Sequence, residues 1–293
     1  MPQPVTILFY NEFWPSLPQS LPECPWPCRL LFDSALLPEA DVVVFHIPTL
    51  CEPVDVEERP GQLWVAWSME SEINYPCLAD AAFMQQFDLT MTYRRDADIW
   101  VPYFGPGTPA QIQAPPQAKT EPALAVYLAS NPHDRSGRDR YVAELMRHLP
   151  VDSYGRCLRN RTLPHDKGRR SKLETIARYK FTLAFENSIA RDYVTEKFFD
   201  PLIAGSVPVY LGAPNVDELA PGDRAFIDVT HFGAPVHLAE YLRDLAADEQ
   251  RYGGFLAWKL RPLRERFVRL AESVAMHPIC RLAALAARRR QAG

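Results

Sequence analysis

The densest set of side chains able to do chemistry lies between Tyr179 and Gly212, YKFTLAFENSIARDYVTEKFFDPLIAGSVPVYLG. Glu186, Asn187 and Ser188 follow an apolar run, and Thr195, Glu196 and Lys197 open the next segment. A helix start carries unpaired N–H groups and partial positive charge, which favours phosphate. Lys197 adds a full charge in the same turn. Tyr193 and Asn187 are suited to stacking on and hydrogen-bonding a planar base or a ribose, and Glu186 and Glu196 to accepting from sugar hydroxyls. The combination points to a phosphorylated sugar or nucleotide. The plainer reading is a capped helix with solvated Glu and Lys, the ordinary fate of a Thr-Glu-Lys triplet.

The elements around this set are short and well marked. Phe181 to Phe185 reads as a buried strand. Thr195 is an N-cap, Phe198, Phe199, Leu202 and Ile203 give the helix an apolar face, and Gly205 is its stop. Val207 to Leu211 is a second buried strand. This is a βαβ unit, and in parallel sheets ligands sit beyond the C-terminal strand ends.

Similar strand-then-polar patterns recur along the chain. Val5 to Tyr10 is a first strand, and Asp41 to Ile47 a second with His46 at its end. Leu63 to Ser71 ends in Glu70, followed by Glu72 and Asn74. Leu89 to Tyr93 precedes the charged run Arg94, Arg95, Asp96 and Asp98, which reads as a loop-fixing ion network. Gly105 to Pro122 is rich in Pro and Gly and reads as a linker. Leu124 to Ala129 leads through Ser130 and Asn131 to a helix from about Gly137 to Leu149, with Arg135, Arg138 and Arg140 at its start. Val151 to Tyr154 is a strand, Pro164 to Lys172 a basic loop that reads as solvated, with a raised positive potential near a diphosphate as the alternative, and Leu173 to Tyr179 a helix. Ala225 to Val229 is a last strand, His237 to Glu249 an amphipathic helix, and Phe255 to Arg290 helical with one apolar face. The expected division is residues 1–115, 116–255 and 256–293.

Composition excludes several classes. The chain has 293 residues, 47% hydrophobic and 23% charged, with net charge −4, so nothing favours nucleic acid. No apolar run is long enough to span a membrane, and MPQPVTILFY lacks the basic start of a signal peptide. Arg288 to Arg290 read as a frayed basic tail, with weak attraction to an anionic membrane as the alternative. Six cysteines, at 24, 28, 51, 77, 157 and 280, show no zinc spacing and read as free thiols. The loop from Asn11 to Arg29, with Phe13, Trp14 and Trp26, is an aromatic surface suited to a sugar face or to simple packing.

FENSIARDYVTEK followed by AGSVPVYLG closely resembles the signature of the α-1,3-fucosyltransferases, glycosyltransferase family 10. The segment FDLTMTYRRDADIWVPYF and the Glu70-Ser71 pair resemble the same family, whereas Glu72 stands where many members have Pro. The resemblance implies an α/β GT-B fold of two Rossmann-like domains facing across a cleft, with a C-terminal helix crossing back. It implies an acceptor-binding first domain and GDP-β-L-fucose in the second. Inverting, metal-independent transfer of L-fucose follows, to a hydroxyl of an N-acetylglucosamine- or glucose-containing glycan such as N-acetyllactosamine or lactose, α-1,3 linkage favoured. A divalent cation is at most stimulatory. Glu70 matches the family's general base, with Glu72 two residues on as the alternative, Arg138 a diphosphate contact and Lys197 a charge stabiliser. Ser130, Asn131, Glu186, Asn187, Tyr193, Val194 and Glu196 complete the implied nucleotide site. The lack of a membrane anchor suits a soluble, cytoplasmic bacterial form or an excised catalytic domain. The rival readings are a GT-B transferase using another nucleotide sugar and a non-catalytic glycan- or nucleotide-binding protein.

Overall fold

A computed structural model describes residues 3–11, 21, 24–50, 52–163 and 165–292. Phe13, Trp14 and Cys51 lie outside the described residues. The chain forms two compact units, one running to Pro102 and resuming at Ser273, the other spanning Tyr103–Glu272.

The first unit is built on six parallel strands, β1 (Val5–Phe9), β2 (Cys28–Leu31), β3 (Val42–His46), β4 (Leu63–Ser68), β5 (Leu89–Thr92) and β6 (Ile99–Trp100), in the order β2-β1-β3-β4-β5-β6. These strands are apolar on both faces, as a covered parallel sheet demands. Val5, Ile7, Phe9, Val42, Val44 and Val65 form one face, and Leu8, Val43, Phe45, Trp64 and Ala66 the other. The short helices α1 (Ile47–Leu50) and α2 (Ala81–Met84) lie in the connections.

The second unit has five parallel strands, β7 (Ala125–Tyr127), β8 (Val151–Ser153), β9 (Phe181–Phe185), β10 (Val207–Leu211) and β11 (Ile227–Asp228), in the order β11-β10-β9-β7-β8. Its helices are α3 (Thr108–Ile112), α4 (Arg138–Leu145), α5 (Arg169–Ile176), α6 (Glu196–Ala204), α7 (Pro235–Ala247), α8 (Glu249–Gly254) and most of α9 (Glu265–Ser273). Val142 and Leu145 of α4 and Leu238, Leu242 and Leu245 of α7 cover one sheet face, and Ile176 and Tyr179 part of the other. Each unit is Rossmann-like, and the fold is GT-B.

The C-terminal region is not one long helix. It breaks between α9 and α10 (Pro278–Ala292), where Pro278 cannot continue a preceding helix. Helix α10 packs Ile279, Leu282, Ala283 and Ala286 on the first sheet. Burial of its Ile and Leu stabilises by roughly 1.5–3 kcal/mol each. Arg288 to Arg290 belong to α10 rather than to a frayed tail, and Arg290 pairs with Asp41. Among the described residues no single helix is long and apolar enough to cross a membrane. The expectation of free thiols holds for Cys24, Cys28, Cys157 and Cys280 but not for Cys77, which is disulfide-bonded.

The segment read as a linker is packed on the second unit. Pro116 lies so close to Gly205 that a Cβ there would meet it at 2.7 Å, and Gly205 has φ +74° at the end of α6. Lys119 Nζ donates to the carbonyls of Gly205 (2.6 Å) and Ala177 (2.8 Å). Lys259 Nζ donates to Leu202 O (2.7 Å) and to Ile112 O. Two cations thus satisfy carbonyls that the end of α6 leaves orphaned, and complement its dipole.

Burial of Lys259, aided by nearby Lys119, lowers its pKa to about 8. Between about pH 8 and the ordinary lysine value only the unfolded chain binds that proton, so stability rises with pH there. Compared with Lys259→Met, wild type should gain roughly 1 kcal/mol between about pH 7 and about pH 9.5, after allowance for solvent screening. Denaturant titrations at the two pH values measure this, and a pH-independent difference between the proteins would contradict it.

Candidate functional site

In the second sheet the chain leaves β7 to form β8 on one side and returns to form β9 on the other. The crevice between the C-terminal ends of β7 and β9 is therefore a topological switch point, where open α/β sheets bind ligands. The two loops that emerge there carry the expected nucleotide residues and are tied together. Arg135 N and Ser136 N donate to Asn187 O (2.7 and 3.1 Å), and Ser136 Oγ donates to Glu186 O (2.6 Å).

Arg138 is 1% exposed. Its Nη2 donates to Asn131 O (2.7 Å) and its Nη1 to Phe185 O (3.3 Å). Its Nε has no hydrogen-bond partner among the described residues and only a 3.7 Å approach to Asp139. Arg135 and Arg140 are exposed, so of the three arginines Arg138 alone is built into the crevice. Asn187 is buried with Oδ1 also lacking a hydrogen-bond partner. A buried donor and a buried acceptor left unpaired are costly unless something else meets them.

Glu186 is fully buried, and its carboxylate is committed inside the protein rather than held out for a sugar. Oε1 accepts from Thr195 N (2.7 Å), and Oε2 from Thr195 Oγ1 (2.8 Å) while pairing with Lys197 Nζ at 3.3 Å. Burial pushes this carboxyl up against the pull of Lys197. Lys197 Nζ also donates to Thr195 Oγ1 (3.0 Å) and approaches Glu196 at 3.5 Å. Burial disfavours its charge, but Glu186 and Glu196 outweigh burial and Arg138, holding it above the usual lysine value. Thr195 caps α6 as expected, accepting from Lys197 N at 3.3 Å.

The remaining expected residues divide. Glu196 pairs loosely with Lys172 (3.7 Å). Burial pushes its carboxyl up, but Lys197 and Lys172 prevail and lower it. Ser130 is exposed, with its Oγ accepting from Arg156 N at 3.3 Å. Asn131 Oδ1 accepts from His133 N (2.9 Å). Tyr193 and Val194 are buried, Tyr193 edge-on to Tyr103 at 6.2 Å, so the Tyr193 ring has little surface to offer a base.

Three features were not foreseen. The N-terminus of α4 already holds an anion: Asp134 Oδ1 accepts from the backbone N–H of Ser136, Gly137 and Arg138, and Oδ2 from Asp139 N. Burial pushes the Asp134 carboxyl up, but these N–H groups outweigh it and lower it. The local signal, Asp four residues before Arg138, is too common to single out. Second, Arg169 and Lys172, read as a solvated loop, start α5 and reach Asp200 of α6, each at 2.8 Å. Asp200 is fully buried, so they neutralise a charge that α6 could not otherwise hold there. Third, the switch point of the first sheet, between β1 and β3, is closed by Asn11. Its Nδ2 donates to His46 O (2.9 Å), and its Oδ1 accepts from His46 N (2.8 Å).

Glu70 lies just past β4. Its Oε2 accepts from Asn74 Nδ2 (3.2 Å), and its backbone N–H donates to Ser68 Oγ (3.0 Å). Glu70 and Glu72 share the wall of a cavity of about 460 Å³ with Tyr93, Arg94 and Asp96. Of the expected ion network among Arg94, Arg95, Asp96 and Asp98, the pair Arg94–Asp96 is present, with Arg94 donating to both Asp96 oxygens (2.9 and 2.6 Å), whereas Asp98 accepts from Thr90 N and Oγ1. Among the described residues no cluster of His, Cys, Asp or Glu is arranged to hold a metal.

Comparison with known proteins gives the same direction. Residues 2–104 match the family model described as fucosyltransferase, N-terminal, and residues 117–292 that of glycosyltransferase family 10 (fucosyltransferase) C-term. The human 4-galactosyl-N-acetylglucosaminide 3-alpha-L-fucosyltransferase FUT5 is 41% identical over 278 residues, 88% of this chain and 71% of that protein. The human 3-galactosyl-N-acetylglucosaminide 4-alpha-L-fucosyltransferase FUT3 is 39% identical, covering 88% of this chain and 74% of its own. A putative fucosyltransferase-like protein of Arabidopsis thaliana is 40% identical over 228 residues, which span 77% of this chain but 43% of that relative. The crystal structure of an alpha1,3-fucosyltransferase with GDP-fucose shares the fold, with a TM-score of 0.60 at 18% identity over 87% of this chain and 82% of that one. With both halves of the chain matched, and with relatives near two-fifths identity over most of its length, the chain belongs to glycosyltransferase family 10, the fucosyltransferases.

Proposed function

We propose that this protein transfers L-fucose from GDP-β-L-fucose to a hydroxyl of an N-acetylglucosamine- or glucose-containing glycan, forming an α-1,3 linkage with inversion. The observation that carries the reading is the presence of two cations, Arg138 and Lys197, in the elements that follow β7 and β9 at the switch point, with Arg138 Nε and Asn187 Oδ1 buried and lacking hydrogen-bond partners among the described residues. A nucleoside diphosphate supplies what that crevice lacks: phosphate oxygens for the guanidinium and ammonium, and a donor for Asn187. The names of the relatives supply the sugar.

In this reading Glu70 removes the proton of the acceptor hydroxyl as it attacks the anomeric carbon. The sugar passes through an oxocarbenium-like state. Arg138 and Lys197 stabilise the charge growing on departing GDP, held in place beforehand by Glu186, Thr195 and the carbonyls of Asn131 and Phe185. Glu186 thus acts by positioning, and α6 is braced from below by Asp200 and from its far end by Lys119 and Lys259. One displacement converts a β-linked donor into an α-fucoside.

The test is GDP release from GDP-fucose with N-acetyllactosamine, with lactose and with neither. Release should rise at least about tenfold with acceptor, in line with acceptor positioning as a requirement of the reaction. Equal release without acceptor, or preferential use of another nucleotide sugar, overturns the proposal.

A further inference from the structure

The second unit holds a cavity away from the β7/β9 crevice. It lies at the C-terminal end of the edge strand β11, with β10 and β9 between it and that crevice. At the usual strand spacing this is a separation of about 12 Å. The cavity measures about 540 Å³, within the range of small-molecule sites. No residue of its wall has a part in the proposed transfer. The wall combines rings with hydrogen-bonding groups. Phe232 and Tyr241 stand with ring centroids 5.1 Å apart, and both are half-buried, so part of each ring stays accessible. Arg224 has φ +55°, a left-handed conformation that arginine rarely adopts. Such outliers gather at functional sites. Its guanidinium lies over the Phe255 ring, 4.7 Å from the centroid. The ring takes one face of the guanidinium and leaves the in-plane N–H groups, which have no hydrogen-bond or ion-pair partner among the described residues. The charges balance. Asp217 is paired with Arg264 at 2.9 Å. That leaves Asp228 and Arg224, which line the same cavity and form no ion pair with each other. Asp228 Oδ1 accepts from Thr230 N (2.8 Å) and Oγ1 (2.6 Å), and its Oδ2 has no hydrogen-bond partner among the described residues.

We infer that this cavity is a second sugar site, which holds a neutral hexose or N-acetylhexosamine unit on Phe232 and Tyr241, with its hydroxyls donating to Asp228 and its oxygens accepting from Arg224. A pyranose has the matching chemistry. Its C–H face suits the rings, and its hydroxyls both donate and accept, so one satisfies the carboxylate while another satisfies the guanidinium. A carboxylate and a guanidinium held apart offer both functions with no net charge. An anion gains Arg224 but meets Asp228, and a cation the reverse. A glycan held here keeps its other sugars at high local concentration around the enzyme. The inference goes beyond fucosyl transfer and does not depend on it.

The test titrates N-acetyllactosamine into the full chain with GDP present and follows the ring signals of isotope-labelled histidine by NMR. His231 lines the cavity, and its signal is identified with His231→Gln. That signal should shift saturably in wild type. Arg224→Gly removes the guanidinium and places at φ +55° the residue that tolerates it, so the fold is kept. It should weaken the sugar at least about fivefold, the loss of hydrogen bonds from a charged donor, while GDP affinity stays within about twofold of wild type. Tyr241→Ala, on another part of the wall, gives a second reading and should weaken the sugar at least about tenfold. No saturable shift at His231, or an unchanged sugar affinity in either variant, overturns the inference. So does a His231 shift produced by inorganic phosphate and not by the sugar, which marks an anion site instead.

Discussion

Replacing Glu70 by glutamine is expected to slow fucosyl transfer by ~10²–10⁴-fold while GDP affinity stays within about twofold of wild type. The hydroxyl of a sugar is a poor nucleophile until its proton leaves, and the candidate acceptor of that proton is a carboxylate at the end of a central strand. Glutamine has the same shape and keeps an oxygen for Asn74 Nδ2, so the loop after β4 should keep its form. What it loses is the ability to take a proton at neutral pH. Glu70 belongs to the first unit, whereas the proposed diphosphate contacts Arg138 and Lys197 belong to the second, which is why nucleotide binding should be spared. Stopped-assay turnover paired with a calorimetric GDP titration separates the two effects. Turnover within a fewfold of wild type would remove Glu70 as the base and make Glu72, in the same cavity, the next residue to test.

Lys197→Ala should weaken GDP binding by ~10–100-fold and lower turnover as well, since a cation on the phosphates acts in both ground and transition states. The substitution has a second consequence that the packing makes specific. Lys197 is the cation paired with buried Glu186, and without it burial drives that carboxyl further up, toward the neutral form. The variant should therefore lose stability, by roughly 3 kcal/mol on the scale seen when one partner of a buried pair is removed. Glu186→Gln in the same chain should recover most of the stability but none of the GDP affinity. Calorimetry and denaturant unfolding on the single and double variants read the two quantities independently. Undiminished GDP affinity in folded Lys197→Ala would place the diphosphate elsewhere.

Much of the scaffold is legible in the residues because parallel strands buried on both faces leave a strong mark. Phe181–Phe185 and Val207–Leu211 are continuous apolar runs, and Thr195 and Gly205 bracket the helix between them with the side chain and the positive φ that caps require. The break between α9 and α10 was signalled by Pro278 but masked by apolar residues continuing on both sides. Side-chain direction was the harder matter. Glu186 reads as a strand-end carboxylate ready for a ligand, yet it turns inward to Thr195 and Lys197, and only the fold of the loop decides that. Asp134 is similar: its role at the start of α4 depends on Gly137 at φ +76°, which brings successive N–H groups onto one carboxylate. Lys119 and Lys259 lie far apart in sequence and meet only at the C-terminal end of α6, so no local pattern could have linked them.

The proposed reaction is a single displacement at the fucose anomeric carbon, with GDP as the leaving group. The most direct measurement is the proton NMR spectrum of the product formed from GDP-β-L-fucose and N-acetyllactosamine. One new fucosyl anomeric signal with the small coupling of an α-L-fucoside is expected, with a linkage shift at O3 of the N-acetylglucosamine and one GDP formed per linkage. A β-fucoside, which would require two displacements, or GDP formed without a fucosylated product, would contradict it.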